Sequence, residues 1–317
     1  MKRSAVGVGL CVVFGFFVGL PGVDAQEAVT LRYKMNEKEK RVYRRSFEMR
    51  QVQEINDRKV KTYMATTDVS EWTLDKIVEK GNFQLQTQNK LYQSTFNVDV
   101  GKQFSAKYQY DSKKDENDST SMFGAALTPL YDALNGAMFK IVVTPQGKIN
   151  KVKGFAEIIE PIIKKNPLAK QMMGGGEDKG ISIFENVFLD LPSKKVSVGD
   201  TWNVPYTLKI PQIGKVTGKK LYAFDGFVTK DKRKLAKISL TTEMSIDVDM
   251  KNDAGTFKGT LSITDSKGVG YFDPRTGAIT SITNQFTMSG DLNATINGQD
   301  LTMSQNQKHN YKLQLVK

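Results

Sequence analysis

The sequence contains only one cysteine, Cys11, and only one histidine, His309. Protein zinc sites usually combine several cysteine and histidine ligands, and Ser/His or Cys/His catalysis needs a histidine beside its nucleophile. His309 shares strand parity with Tyr311 and Leu313, so we interpret it as packed on a strand near the end of a sheet. The sequence therefore predicts no metal ion, no cofactor and no catalytic residue, and we do not expect an enzyme.

Carboxylate pairs could still support glycoside hydrolysis. No spacing separates the candidates from ordinary surface charges; they are Asp68, Glu71, Glu157, Glu160, Asp247 and Asp249. The acidic stretch 111–121 fails the EF-hand pattern, because Lys113 stands at its third position and no glycine at its sixth. We predict that this stretch is a solvated loop.

The first 25 residues have the pattern of a signal peptide. Lys2 and Arg3 precede an apolar run over 6–20, and small residues occupy the positions that a signal peptidase reads before Ala25. We predict cleavage between Ala25 and Gln26, a secreted or periplasmic protein, and membrane contact only through the signal peptide. Cys11 leaves with that peptide, so the mature chain has no disulfide. The alternative is an uncleaved anchor, for which the apolar run is short.

The formal net charge is +12. A basic balance can indicate nucleic acid, an anionic membrane surface or an acidic polymer as partner. Export argues against nucleic acid. Apart from the clusters at 38–45 and 230–234, the basic residues are spread along the chain singly or in pairs, which favours a solvated surface over a polyanion site.

The clearest structural signal lies between Gly268 and Ile296. A strand through Tyr271, a turn over 273–277 and a long return strand predict one hairpin. On the return strand, apolar residues alternate with polar ones, which is typical of a strand with one buried face; the apolar set is Ile282, Phe286, Met288, Leu292, Ala294 and Ile296. A second strand of this kind is predicted over 236–250.

About 290 residues remain after Ala25, which favours two domains. We predict a mainly β (α+β) fold with two lobes of long, curved antiparallel meander sheet, half-barrel-like, over 26–154 and 193–317. A helical connector over 155–192 joins them, and a shorter helix is predicted from Thr128-Pro129 to Gly136. The helices are expected to pack on the concave apolar face.

Two proline-glycine turns echo each other, Thr144-Pro145-Gln146-Gly147 and Asp273-Pro274-Arg275-Thr276-Gly277, and favour a duplication; the alternative is that such turns recur in any β protein. Together with the Leu191-Pro192 linker and the Val198-Gly199-Asp200-Thr201-Trp202 turn, they make the chain resemble an uncharacterised family of secreted bacterial proteins with a domain of unknown function. The resemblance implies a periplasmic or extracellular location and supplies no functional residues.

Two functional hypotheses remain. The first is a monomeric binding or carrier module whose sheet and helices enclose an apolar small molecule or lipid, by analogy of architecture with half-barrel lipid and lipoprotein carriers. Its candidate ligand-facing residues are Ile246, Ile282, Phe286, Met288 and Leu292. The second is a structural cell-envelope protein whose basic surface binds an anionic envelope polymer. Packing separates them, since only a carrier needs a cavity.

Overall fold

The computed structural model describes residues 28–56, 58–166, 181, 184, 187–210, 214–252, 255–296 and 298–316. Antiparallel strands make up most of these residues. They are β1 (Lys40–Ile55), β2 (Arg58–Val78), β3 (Asn82–Asp99), β4 (Ser105–Asp111), β5 (Met138–Val143), β6 (Ile149–Lys153), β7 (Thr201–Ile210), β8 (Gly214–Lys230), β9 (Arg233–Asn252), β10 (Gly255–Asp273), β11 (Ala278–Ile296) and β12 (Gln299–Leu315). The predicted mainly β fold is therefore confirmed. The signal peptide and the glycine triplet 174–176 lie outside the described residues.

All of these strands belong to one 12-stranded sheet with the order β6-β5-β3-β2-β1-β12-β11-β10-β9-β8-β7, and β4 pairs with β3. The first and last strands, β1 and β12, pair from Tyr43↔Leu315 to Ile55↔Met303. The two predicted lobes are thus joined at the middle of a continuous sheet. Their boundaries at 154 and 192, and the duplication, stay predictions.

The hairpin of β10 and β11 forms where the sequence predicts it. Gly277 adopts a left-handed φ of 62°, and its N–H donates to the Asp273 carbonyl at 2.8 Å. The strand predicted over 236–250 is β9, and both strands keep their alternation. A one-residue slip would move every apolar side chain to the wet face, so burial fixes the register.

The segment after Val29 connects the two proline-glycine turns. The Tyr33 N–H donates to the Pro145 carbonyl at 2.9 Å, and the Lys34 N–H donates to the Gly277 carbonyl at 3.1 Å. Because Tyr33 and Lys34 are adjacent, the turns lie close together in space. One chain segment therefore ties the β5–β6 hairpin to the β10–β11 hairpin.

Helix α1 spans Met122–Leu134. The sequence predicts its start at Thr128, and this start was wrong by six positions. The Ser121 hydroxyl caps it by accepting the Gly124 N–H at 3.0 Å. Pro129 therefore lies inside the helix, not at its first position. The buried residues recur at helical spacing and face the sheet; they are Phe123, Leu127, Leu130 and Tyr131. The preceding stretch 112–121 is a loop, as predicted.

Helix α2 (Phe155–Lys165) begins after Gly154 and buries Ile159 and Ile163. The sequence predicts that the apolar face of the second lobe is covered either by a helix over 181–188 or by the stripe Ile158, Ile159, Ile162 and Ile163. The structure corrects the prediction for the stripe, because α2 packs beside α1, with Phe155 against Phe139 of β5 at 6.0 Å. Only parts of 181–188 are described. We call the sheet face under these helices the inner face.

The segment 187–191 covers the centre of the inner face. Leu189 lies directly over Gly270 of β10, where a Cβ atom would come within 2.6 Å of its side chain. Farther along the same face, the strands β9, β10, β11 and β12 contribute side chains to a separate buried cluster. Its members are Val248, Leu261, Met288, Leu292, Ala294 and Met303. None of the helices in the described ranges combines the length and apolar character needed to cross a bilayer.

Candidate functional site

A cavity of about 270 Å³ lies between the inner face and the helices, and we call it the helix-covered cavity. Its floor comes from four strands, β1, β2, β3 and β5. The floor residues are Arg45, Phe47, Met64, Thr66, Asn89, Tyr92 and Phe139. Alternate residues of β1 and β2 point to the same face, so the strand period places these side chains together.

The roof of the cavity comes mainly from α1. Its contributing side chains are Leu127, Leu130, Tyr131 and Leu134, joined by Phe155 of α2 and by Phe184. The apolar spacing of α1 turns this stripe toward the sheet. The volume lies just below the range of about 300–1,000 Å³ that is usual for small-molecule pockets.

Hydrogen bonds fix α1 above the strands. Tyr108 and Thr128 share a hydroxyl contact of 2.7 Å, and the Tyr110 hydroxyl donates to the Asp132 carboxylate at 2.8 Å. Burial raises the pKa of Tyr108 to about 12. Burial also raises the pKa of Tyr110, and the Asp132 carboxylate has a smaller effect in the same direction. Both phenols therefore stay neutral and act as anchors for the roof.

Arg45 contributes a charged group to the floor. Its Nε donates to the Asp68 carboxylate at 2.7 Å, and the Asp68 side chain is 4% exposed. Burial is the largest single effect and lowers the pKa of the Arg45 guanidinium. The Asp68 charge, Tyr311 and the hydrogen bond to Asp68 together outweigh burial, so the pKa is raised. The two side chains are therefore held as an ion pair, and they face each other because β1 and β2 pair in this register.

Other polar groups of the lining bond within the protein. Asn89 Nδ2 donates to the Leu134 carbonyl at 3.0 Å, and the Tyr131 hydroxyl accepts the Ser94 hydroxyl proton at 3.2 Å. The remaining lining is largely aliphatic and aromatic. The arrangement suits burial of an apolar molecule, since apolar cavities of this scale stay dry and take up apolar guests.

The five predicted ligand-facing residues all lie on strands β9 and β11, but not in this cavity. Ile282 belongs to the main core and borders a separate cavity of about 20 Å³. Met288 and Leu292 are buried in the second cluster, with Ile246 packed against it. Phe286 lies between these groups. The structure thus divides the predicted set among three environments.

Phe286 stacks on His309, with ring centroids 4.4 Å apart. The imidazole Nε2 also contacts the Gln307 amide oxygen at 2.9 Å. Burial lowers the pKa of His309 to about 4. The histidine is packed on a strand as predicted, but β12 is a central strand, so its predicted place near the sheet end was wrong.

The six candidate carboxylates lie on three elements, two each on β2, α2 and β9. Asp68 is buried against Arg45, whereas Glu71 pairs with Lys40 at 3.1 Å and Glu160 with Lys164 at 3.9 Å. Asp247 and Asp249 are exposed on β9.

Sequence reasoning missed the helix-covered cavity. The repeat of apolar residues at helical spacing from Phe123 to Tyr131 could have revealed its roof. The floor could have been found from the β1–β2 hairpin, whose pairing of Ile55 with Arg58 places Arg45 opposite Asp68.

These features define a mainly antiparallel β protein with an apolar cavity under two helices. Residues 80–270 match the model of DUF6263, a family of unknown function, and the chain belongs to that family. This confirms the kind of family that the turn motifs resemble. No curated protein sequence matches the chain significantly.

Two solved structures show limited similarity. A structure described as "Lipid-protein interactions in lipovitellin" is 9% identical, with a TM-score of 0.40, over 90% of this chain and 26% of that one. The chain thus spans about a quarter of the lipovitellin chain's length. The low-pH structure of Pseudomonas putida OprB is 8% identical, with a TM-score of 0.19, over 86% of this chain and 92% of that one. At these TM-scores neither similarity supports a functional argument.

Proposed function

We propose that the chain is an exported, non-enzymatic binding or carrier protein that holds an apolar small molecule or lipid in the helix-covered cavity. The observation that carries this proposal is the cavity itself, about 270 Å³ between sheet and helices. A purely structural protein gains nothing from such a space, because unfilled volume weakens packing.

The basic residues favour this function over polymer binding. In the cluster at 38–45, Arg41 is buried and donates to the Gly277 carbonyl, while Arg45 pairs with Asp68. In the second cluster, Lys234 lies over the Phe227 ring at 4.6 Å. These three side chains make contacts within the protein. Fewer basic side chains of each cluster are therefore available to bind a polyanion.

Export rests on the N-terminal pattern that precedes Gln26. The test is N-terminal sequencing of the protein recovered from the periplasm or medium of a bacterial host. We expect the chain to begin at Gln26, and material that still begins at Met1 would contradict cleavage.

Binding is tested with an uncharged fluorescent probe, N-phenylnaphthylamine, on the mature chain. Leu134→Trp places an indole in the cavity, and Leu221→Trp is the matched control because Leu221 is also partly buried but lies on β8. We expect probe binding in the wild type, at least about tenfold weaker binding in Leu134→Trp, and no change in the control. Circular dichroism checks that both variants fold.

The proposal fails if the wild type does not bind the probe, or if both tryptophan variants lose binding equally. Native mass spectrometry of protein purified from its own host adds an independent measurement, in which co-purified apolar ligand should be released by Leu134→Trp.

A further inference from the structure

The charged group in the lining of the helix-covered cavity is already balanced. Arg45 is the sole ionised side chain among the described lining residues, and the Asp68 carboxylate lies 2.7 Å from its Nε. Both side chains are largely buried, at 20% and 4% exposure. The floor therefore combines a positive and a negative charge in a poorly solvated place.

A buried ion pair of this kind is a poor source of stability, because desolvation of two charges can exceed their mutual attraction. Apolar residues of similar volume often stabilise a core equally well. The position of this pair at a cavity, rather than in a packed core, points to a role in selecting what enters.

We propose that the cavity selects uncharged apolar ligands, such as fatty alcohols or other neutral lipids, and rejects fatty-acid anions through the Arg45–Asp68 pair. This inference rests on the proposed function and names its ligand class. An incoming carboxylate must compete with Asp68 for the guanidinium or stay unpaired in an apolar site, and both are unfavourable.

A cationic amphiphile meets the opposite difficulty. Its charge would face Arg45, which lines the cavity, whereas Asp68 lies outside the lining. Like charges in a site of low polarity repel strongly. A neutral ligand avoids both penalties and leaves the ion pair intact.

The test compares decanol with decanoate, each displacing N-phenylnaphthylamine from the full mature chain at about pH 8, where decanoate is ionised. We expect the wild type to bind decanol at least about tenfold more tightly. In Asp68→Asn the guanidinium loses its balancing charge, so decanoate should gain at least about tenfold relative to decanol.

Glu71→Gln is the matched control. Glu71 lies on the same strand as Asp68 and also pairs with a cation, but its partner Lys40 is not in the cavity lining, whereas Arg45 is. It should keep the wild-type preference. If Asp68→Asn does not fold, the wild type still tests the preference for neutral ligands, because acidification to about pH 4.5 protonates much of the decanoate and should raise its affinity toward that of decanol.

The outcomes separate the two proposals. If decanol and the probe bind but decanoate binds as tightly at pH 8, the selection of neutral ligands is wrong while the carrier function stands. An unchanged preference in a folded Asp68→Asn variant overturns the role of the ion pair. If neither the probe nor decanol binds, the proposed function fails, and this inference fails with it.

Discussion

Asn166 and Ala125 form a hydrogen bond that joins the two helices above the cavity. Asn166 Nδ2 donates to the backbone carbonyl of Ala125 at 3.0 Å. In a regular helix this carbonyl accepts the N–H of the residue four positions later, but that residue is Pro129, which has no N–H. The end of α2 therefore supplies the donor that α1 lacks.

We predict that Asn166→Ala lowers the free energy of unfolding by about 1 kcal/mol, the usual net value of such a bond. In a Pro129→Ala background, Ala125 regains a helical partner, so the same substitution should cost clearly less. Urea unfolding of the four proteins gives this double-mutant cycle. Equal costs in both backgrounds would show that Asn166 does not compensate for the proline.

Arg41 holds the β10–β11 turn against the N-terminal segment. Its guanidinium donates to the carbonyls of Gly277 at 3.1 Å, Thr276 at 3.0 Å and Lys34 at 2.6 Å. A lysine ammonium cannot reproduce this planar fork, so Arg41→Lys should cost about 2 kcal/mol. The control is Arg44→Lys at an exposed position of the same strand, which should stay within about 0.5 kcal/mol. Thermal or urea unfolding distinguishes them.

His309 should make the protein less stable in mild acid. Burial lowers its pKa to about 4, against an ordinary value of 6.5, so the unfolded chain takes up the proton first. The stabilising contribution is complete above about pH 6.5 and is lost as the pH falls toward 4, by about 1.4 kcal/mol per pKa unit. The residues that face His309 carry no charge: they are Met49 and Phe286 on the paired strands and Gln307, which contacts the imidazole.

The variant His309→Phe isolates this effect, because phenylalanine keeps the ring stacking without the titration. Urea unfolding between pH 4 and 8 should show a shallower loss of stability in the variant than in the wild type. Parallel pH curves would assign the acid sensitivity to carboxylates instead.

The second half of the sheet could be predicted because its strands obey a simple alternation. In β11, polar residues such as Thr283 and Asn293 stand between apolar ones, and burial of one face leaves a single register. The inner face of β1 is different, since Arg45 and Gln51 share it with Tyr43 and Phe47. Polar residues at inward positions obscure the period of two.

The cavity could not be predicted from alternation, because it depends on contacts between distant segments. Met64 of β2 and Leu130 of α1 line the same space although they are far apart in sequence. The start of α1 was hidden by Pro129, whose missing hydrogen bond is compensated by Asn166, another distant residue. The residues around Pro129 therefore give no sign that its missing hydrogen bond is replaced by a distant side chain.

Alanine substitutions at Phe286 and Phe272 distinguish residues that pack in the core from residues that contact a ligand. Phe272 is fully buried in the main core, so Phe272→Ala should lower the free energy of unfolding by about 3–5 kcal/mol. Phe286 is only partly buried and stacks on His309, so Phe286→Ala should cost about 2 kcal/mol. Urea unfolding measures both values.

Neither phenylalanine lines the helix-covered cavity. Phe286→Ala should therefore leave the affinity for N-phenylnaphthylamine within about twofold of the wild type, whereas Leu134→Trp should reduce it about tenfold. The opposite pattern, with probe binding lost in Phe286→Ala and kept in Leu134→Trp, would move the ligand from the space under α1 to the strand face around β11. Ile282, Met288 and Leu292 would then be the residues to examine next, as the alternation of β11 indicates.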